Sequence, residues 1–174
     1  MKIYTQDNYI VMPWKNGEGS TCQLYKIPDP NDESLFLFRL SIATVSKSGS
    51  FSLFPGIERL IMILDGNGIK LDLPSGDITL TKNSKPLAFS GDAAVYAELL
   101  DGFVLDFNVM VARNFKKVNV EILANKKFQA ISHSFILDFQ NKSDYRLIEL
   151  NAGDSVDFRS SGKQVLVYFG AEVD

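Results

Sequence analysis

The chain contains very little of the chemistry from which metal sites and redox centres are built. It has one His and one Cys among 174 residues. A catalytic transition-metal site usually needs several His side chains and a carboxylate, which His133 alone does not supply. The lone Cys22 excludes an intramolecular disulfide, and this fits a reducing compartment. We therefore expect neither a bound metal nor any other cofactor.

Long apolar runs and an excess of basic residues are also missing. The formal net charge is −3, which gives no electrostatic footprint for a nucleic-acid backbone. Apolar runs such as residues 60–64 are far shorter than the roughly 20 residues that cross a bilayer. Residues 1–7 contain no apolar signal core. We expect a cytoplasmic protein that binds neither nucleic acid nor membrane.

The sequence does contain a succession of short apolar segments. Its composition, with 45% hydrophobic residues and 13 Phe, is that of an ordinary folded domain. Each segment is rich in Phe, Ile, Val or Leu and is bounded by Gly, Pro, Asn, Asp or Ser, which is typical of an all-β sandwich or barrel. The strongest strand candidates are residues 35–43, 60–64, 68–73, 95–100, 103–111, 118–123, 135–139, 145–150 and 165–169.

The predicted strands form two halves of a single domain that covers residues 1–174. The larger half covers about residues 1–111 and the smaller half about residues 118–174, with residues 113–117 as the expected crossover. Such a short connector of mixed composition does not suit a flexible linker between independent domains. Hairpin turns are predicted where residues that tolerate positive φ or favour tight turns cluster. These clusters are residues 65–68, 74–77 and 141–144.

Familiar catalytic and cofactor-binding motifs are absent or incomplete. Gly17 and Gly19 begin a G-x-G-x-x-G pattern, but Cys22 occupies the third glycine position and no helix pattern follows, which excludes a dinucleotide loop. No G-x-S-x-G nucleophile elbow occurs. Cys22 lies in a strand-like run without a basic neighbour, which favours a small core residue over a reactive thiolate. The position of His133 between two Ser residues favours a surface histidine over a catalyst.

Two arginines lie in or beside apolar strands. Arg39 lies within residues 35–43, whose two faces are both largely apolar, and Arg59 directly precedes residues 60–64. Arg is seldom fully buried without a partner. Each side chain should therefore reach a carboxylate, line the mouth of a barrel or extend to solvent. Glu58 points away from Arg59 in a strand, which argues against an ion pair between these neighbours.

A polar pair interrupts another apolar strand. Asp106 and Asn108 are two residues apart in the strand-like residues 103–110, so they share one face. The opposite face is apolar, and the polar face also carries Val104 and Met110. Because these two residues indicate partial cover, we favour a pocket wall over an exposed outer strand.

The segment around Trp14 completes a candidate ligand site. Two glycines follow it and would let the backbone turn sharply and approach a ligand; the alternative is a structural turn in which Trp14 plugs the end of a barrel. Guanidinium groups suit a carboxylate, while amides and a carboxylate suit an amide or amine. The predicted ligand-binding residues are Trp14, Lys15, Asn16, Arg39, Arg59, Asp106 and Asn108.

Five separated blocks carry a resemblance to a known family. They are residues 13–21 (PWKNGEGST), 49–59 (GSFSLFPGIER), 64–68 (LDGNG), 89–92 (FSGD) and 106–110 (DFNVM). Their order and spacing resemble the HutD/Ves family of cupin-like proteins. The resemblance implies an all-β fold, a cupin-like β-barrel of the RmlC-like jelly-roll type that is bicupin-like with a smaller second half.

The resemblance also bears on metal binding. In the block that resembles the first cupin motif, the positions expected for two His and a Glu fall near Ser52, Phe54 and Arg59. None of these side chains suits a divalent cation, and an Arg would repel it, so metal-dependent cupin chemistry is not carried over. Glu18 departs from the small residue expected between the family's glycines.

We predict a metal-independent cupin-like protein that binds a small carboxylate metabolite and has a regulatory or sensing role. Resemblance to HutD implies histidine utilisation, with formylglutamate or urocanate as plausible ligands, whereas resemblance to Ves implies a stress response. A homodimer is a further option for partners.

Two alternatives remain open from the sequence. The first is a metal-free isomerase, lyase or hydrolase on a small polar metabolite, with Asp106, Glu58 or His133 as acid or base. The second is a protein-interaction module in which an exposed aromatic patch anchors a partner. The aromatic residues of that patch would be Trp14, Phe51 and Phe54.

Overall fold

The computed structural model describes residues 1–159 and 161–170. Residues 171–174, the end of the predicted smaller half, lie outside the described residues. Within the described part the strands are β1 (Lys2–Tyr4), β2 (Ile10–Pro13), β3 (Gly19–Pro28), β4 (Phe36–Val45), β5 (Gly49–Ser50), β6 (Ile57–Gly66), β7 (Ile69–Leu73), β8 (Gly76–Leu80), β9 (Leu87–Ser90), β10 (Tyr96–Leu99), β11 (Val104–Ala112), β12 (Val118–Ile122), β13 (Lys127–Gln129), β14 (Ser134–Asn141), β15 (Asp144–Leu150), β16 (Ser155–Asp157) and β17 (Lys163–Phe169).

Helix is almost absent from the described residues. One short 3₁₀ helix, Gln6–Asn8, lies between β1 and β2. No helix in the described part of the chain is long and apolar enough to cross a membrane. The prediction of an all-β fold is confirmed, because the repeated apolar segments bounded by turn residues all form strands.

The chain divides into two compact units, one of residues 10–115 and the other of residues 1–9 together with 116–174. The unit of residues 10–115 contains a six-stranded sheet in the order β2-β3-β4-β11-β6-β9 and a four-stranded sheet in the order β5-β10-β7-β8. All pairs of neighbouring strands in these two sheets are antiparallel.

The core of this unit lies between its two sheets. Ile61 and Ile63 of β6 pack with Ile69 and Leu71 of β7 in one buried cluster. Alternation explains this arrangement, because residues two apart on a strand point to the same face. The two sheets are opposed layers rather than one continuous hydrogen-bonded barrel, and the layers enclose both the apolar core and the cavity described below.

The other unit follows the same plan on a smaller scale. Its five-stranded sheet has the order β1-β15-β14-β17-β12, and β13 pairs with β16 in a two-stranded sheet. Ile136, Ile148 and Leu166 of the larger sheet are buried with Phe158, and Phe128 packs against them. The N-terminal β1 belongs to this unit because Ile3 pairs with Ile148 of β15.

Tight turns position the strands of the larger unit. The β6–β7 turn contains Gly66 and Gly68, whose φ angles are +96° and +118°. A Cβ at Gly66 would lie 2.3 Å from the carbonyl oxygen of Phe103, so both the backbone conformation and the close approach require glycine. Gly76, with φ of +116°, closes the β7–β8 hairpin, where the backbone conformation alone favours glycine. These turns, and the hairpin between Asn141 and Asp144, confirm the turn predictions.

Candidate functional site

A cavity of about 480 Å³ lies within the unit of residues 10–115. Its floor is the six-stranded sheet, and the loops before β3 and after β5 supply further lining residues. All predicted ligand-binding residues line this one cavity: Trp14, Lys15, Asn16, Arg39, Arg59, Asp106 and Asn108. Their convergence is now visible, and their role in binding a ligand stays a prediction.

Strand register explains why residues so distant in sequence meet. Met110 of β11 lies opposite Arg39 of β4 on one side and Arg59 of β6 on the other. Lys26 of β3 lies opposite Arg39, which puts three cationic residues in one row across four strands. Because neighbouring strands are about 4.8 Å apart, the backbones of Arg39 and Arg59 are only about 10 Å apart.

The next two rows of cross-strand partners on the same sheet face have polar side chains on β11 and apolar side chains on β6. Asn108 lies opposite Ser41 of β4, and Asp106 lies opposite Ala43. On β6 their partners are Ile61 and Ile63. Along β11, the cavity floor therefore presents first the two guanidinium groups beside Met110, then the amide of Asn108 and finally the carboxyl group of Asp106.

Arg59 is buried, with 6% of its surface exposed. Its Nη2 donates a hydrogen bond to Asn108 Oδ1 at 2.8 Å, and its Nη1 lies 3.5 Å from the carbonyl oxygen of Ser52. The guanidinium carbon lies 4.9 Å from the ring centre of Phe89 and 5.2 Å from that of Phe51. Burial lowers the pKa of Arg59 to about 10, with Asp106 opposing and Arg39 reinforcing that effect, so Arg59 is a cation at neutral pH.

Arg39 is partly buried beside the same cavity. Its guanidinium carbon lies 4.8 Å from the ring centre of Phe36 and 5.1 Å from that of Phe54. Its Nη2 lies 3.1 Å from Met110 Sδ, a weak acceptor. Burial lowers the pKa of Arg39, because desolvation disfavours the charged form.

Neither guanidinium has an ion-pair partner among residues 1–159 and 161–170. The Nε–H groups of both Arg39 and Arg59 are buried and donate no hydrogen bond to any of the described residues. Buried polar groups are normally hydrogen-bonded, and a buried charge without an opposite charge is costly. Of the three expected arrangements, contact with a carboxylate is not seen for either Arg among the described residues, and both side chains line the cavity.

Asn108 links the Arg59 cation to the Asp106 carboxyl group. Its Oδ1 accepts from Arg59, and its Nδ2 donates to Asp106 Oδ1. The amide is thereby oriented from both ends. Asp106 is 1% exposed, and burial raises its pKa to about 7 although the Arg59 charge acts in the opposite direction. Asp106 is therefore poised to change charge near neutral pH.

The segment between β2 and β3 brings Trp14 to the cavity. The indole Nε1 donates to Thr21 Oγ1 at 2.9 Å. A Cβ at Gly19 would lie 2.9 Å from the indole ring and 2.2 Å from the carbonyl oxygen of Thr44, so glycine lets the ring lie against β3. Asn16 Nδ2 donates to Glu18 Oε2 at 2.8 Å, which gives the unexpected Glu18 a local partner.

Several cavity residues were not predicted to bind a ligand. Ser41 is buried beside Asn108. Its spacing of two residues from Arg39, which puts both on one strand face, was the sequence signal that could have identified it as a cavity residue. Lys47 follows β4 and carried no distinguishing pattern. Phe51 and Phe54 were considered as exposed anchors for a protein partner, but both are partly buried and line the cavity. With Trp14 also at the cavity, this arrangement favours binding or catalysis over an aromatic docking patch.

The other residues considered for acid–base chemistry lie away from the cavity lining. Glu58 forms an ion pair with Arg113, as its opposite orientation to Arg59 suggested. His133 belongs to the other unit, where its Nε2 lies 2.9 Å from Glu149 Oε1. Cys22 is half-buried within β3.

The cavity does not fit a cupin-type metal. The positions expected for metal ligands carry Ser52, Phe54 and Arg59, and all three line the cavity. The buried donor set has one carboxyl group, Asp106, joined through an amide to a cation, whereas such metals need several His or carboxylate ligands. Among the described residues no three His, Cys, Asp or Glu side chains cluster in a way that could hold a metal ion.

The sequence and the fold of this chain match known proteins. The family model of HutD matches residues 6–166. The chain belongs to the HutD family. Protein Ves from Citrobacter koseri is 36% identical over 110 residues, which cover 63% of this chain and 56% of that protein. An uncharacterized 21.2 kDa protein in the hutC 3′ region of Pseudomonas putida is 38% identical over 120 residues, which cover 64% of this chain and 58% of that protein.

The HutD-family chain therefore spans a little over half the length of these curated relatives, whereas solved structures match it almost throughout. The structure of HutD from Pseudomonas fluorescens SBW25, in a formate condition, superposes with a TM-score of 0.79 at 25% identity and covers 97% of both chains. A conserved protein of unknown function from Pseudomonas aeruginosa PAO1 gives a TM-score of 0.71 at 31% identity, over 95% of this chain and 90% of that one. The prediction of a cupin-like jelly-roll fold is confirmed.

Proposed function

We propose that this protein binds a small carboxylate metabolite in the cavity of residues 10–115 without a metal, in a regulatory or sensing role. The observation that carries the proposal is the pair of guanidinium groups, Arg39 and Arg59, that line the cavity without a carboxylate partner in the described part of the chain. A ligand carboxylate would supply the missing acceptors for both.

The charges around the cavity support an anionic ligand. Four cations line it, namely Lys15, Arg39, Lys47 and Arg59, against two carboxyl groups, Glu18 and Asp106. A buried guanidinium without an anion has lost hydration that nothing replaces. Arg binds carboxylates through two parallel hydrogen bonds, which gives both strength and orientation. Phe rings lie 4.8–5.4 Å from the guanidinium carbons, and the Nε–H of each arginine has no protein acceptor in the described part of the chain.

The biological setting is proposed from the relatives. One relative is encoded in a hutC 3′ region and one matching structure is a HutD, and the resemblance to HutD implies histidine utilisation. The chain also matches protein Ves, and the resemblance to Ves implies a stress response. Formylglutamate and urocanate are therefore the first ligands to test.

The test is calorimetric titration of the protein with urocanate, formylglutamate and glutamate, and with their neutral amides, at fixed ionic strength. We expect the carboxylates to bind and the amides to bind at least tenfold more weakly, because an amide leaves the guanidinium charges uncompensated. Arg59→Ala should abolish the difference. Arg113→Ala is the matched control, since it removes an arginine that lies outside this cavity and is paired with Glu58. Equal affinity for charged and neutral ligands would refute the proposal.

A second candidate function is metal-free acid–base catalysis, and Asp106 is the observation that favours it. A buried carboxyl group with a pKa near 7, in a cavity, has the properties of a general acid or base. The test is a search for turnover of the same metabolites by NMR, followed by a pH–rate profile. Loss of turnover in Asp106→Asn with retained ligand binding would support catalysis, whereas a bound but unchanged metabolite would favour the binding role.

A further inference from the structure

We infer that the cavity takes up its carboxylate ligand together with one proton, which Asp106 holds in the complex. The inference rests on the proposed function and adds to it a regulatory property, coupling between ligand affinity and pH. Three features of the site carry it: the isolation of the Asp106 carboxyl group, its single hydrogen bond and the surrounding charges.

The Asp106 side chain is shielded from solvent and has a single protein donor in the described part of the chain. The residue is 1% exposed, and the one hydrogen bond of its carboxyl group within residues 1–159 and 161–170 is the bond that Oδ1 accepts from Asn108 Nδ2. Oδ2 has no protein partner there, and the residue lines the cavity. A carboxylate normally needs two or three donors to remain charged in such an environment. A protonated Oδ2 can instead donate to a ligand oxygen.

No charged residue lies directly opposite Asp106 on the neighbouring strands, although the Arg59 charge acts to lower its pKa. Its partners across the sheet are Ala43 of β4 and Ile63 of β6. The nearest cation in the hydrogen-bond network, Arg59, is separated from it by the Asn108 amide. Arg39 lies one row beyond Asn108 along the sheet. The other charged residues that line the cavity are Lys15, Glu18 and Lys47.

A ligand carboxylate on Arg59 would change this balance. It would place a second negative charge one amide away from Asp106 and would take up part of the Arg59 attraction. Two carboxylates that share a low-dielectric site do not both stay ionised, and one of them gains a proton. Burial has already brought the pKa of Asp106 to about 7, whereas a free metabolite carboxylate is a much stronger acid. The proton therefore goes to Asp106.

The consequence is a pH-dependent affinity. Below pH 7 the cavity is already in the binding form, and above pH 7 each ligand must bring a proton with it. If binding requires protonated Asp106, the dissociation constant rises about tenfold between pH 6 and pH 8. An Asn at this position keeps the shape of the protonated acid and has no proton to gain.

The experiment uses formylglutamate, whose carboxyl groups stay ionised and which has no other titrating group between pH 6 and pH 8, and acetate as a minimal carboxylate. Calorimetric titrations are run at both pH values in two buffers with different ionisation enthalpies, which measures proton uptake by the unmodified protein. We expect an approximately tenfold weaker affinity at pH 8 and uptake of close to one proton there. Asp106→Asn should bind with the same affinity at both pH values. Glu98→Gln, on the exposed face of β10 and outside the cavity, should keep the wild-type pH dependence.

The outcomes separate this inference from the proposed function. If neither carboxylate binds at either pH, the proposed function fails for these ligands and the inference fails with it. If both bind with equal affinity at pH 6 and pH 8 and without proton uptake, carboxylate binding stands and the inference is refuted. If the affinity of Asp106→Asn depended on pH as strongly as that of the wild-type protein, the inference would also be refuted, because another group would then take up the proton. Should that variant not fold, the buffer comparison on the wild-type protein still decides.

Discussion

Replacing Asp106 by Asn should make the protein more stable at neutral and alkaline pH, although Asp106 is among the most polar groups in the interior. The native pKa of Asp106 is about 7, against 3.8 for the exposed group. Between these values the native state binds more protons at this site than the unfolded state, so stability falls as pH rises. Above pH 7 the full penalty for the buried charge is present.

The magnitude follows from the difference of about three pH units. At about 1.36 kcal/mol per unit, ionised Asp106 lowers the free energy of unfolding by up to about 4 kcal/mol at pH 8 relative to pH 4. Asn preserves the acceptor for Asn108 Nδ2 and removes the charge. The stability of Asp106→Asn minus that of the wild type should therefore increase by several kcal/mol between pH 4.5 and pH 8.

Urea unfolding followed by circular dichroism at pH 4.5, 6 and 8 measures this difference, in which the titration of all other groups cancels. Asp138→Asn is the matched control. Asp138 is also buried, but it accepts hydrogen bonds from Gln164 and Arg146 and forms an ion pair with Arg146, so its replacement should destabilise the protein at neutral pH. A stability difference for Asp106→Asn that stays constant from pH 4.5 to pH 8, or that falls, would refute the assignment of a buried, weakly partnered carboxyl group.

Three further outcomes are expected. Arg39→Ala and Arg59→Ala should lower stability only modestly, because each removes contacts with Phe rings but also removes an uncompensated charge. Phe107→Ala in the core should instead cost about 3–5 kcal/mol. Equal losses of stability in urea unfolding would show that the arginines are structural. Gly19→Ala should shift the fluorescence emission maximum of Trp14, the one tryptophan of the chain, because the new Cβ would collide with the indole ring. An unchanged emission spectrum would contradict this contact. Elemental analysis of the purified protein should find no stoichiometric transition metal, and one tightly bound ion per chain would overturn the donor-set argument.

Local signals in the sequence predicted most of the larger strands. The apolar runs of β4, β6, β11 and β14 were recognised because strand periodicity and turn residues act over a few neighbouring positions. The pairing of Asp106 with Asn108 on one face was predicted in the same way, and this face does line a cavity. The short strands β5 and β16 carry too few residues to show a pattern, and their neighbours in the sheet determine them.

The sequence by itself determined the fold class, the scarcity of metal-binding side chains and the presence of polar residues within otherwise apolar strands. It also determined the family, because five blocks keep their order and spacing along one chain. These properties depend on residue type and on short separations, both of which can be seen without coordinates.

Only the tertiary structure decided which of those polar residues meet and how they are charged. Arg59 reaches Asn108 because β6 and β11 pair with a register that places Arg59 opposite Met110, and a shift of one residue would turn Arg59 to the other face. The pKa of Asp106 depends on burial between β4 and β6, whose facing residues Ala43 and Ile63 lie more than 40 positions from Asp106 in the sequence. Register and burial are properties of the whole packed unit, since each strand gains its position from all of its neighbours.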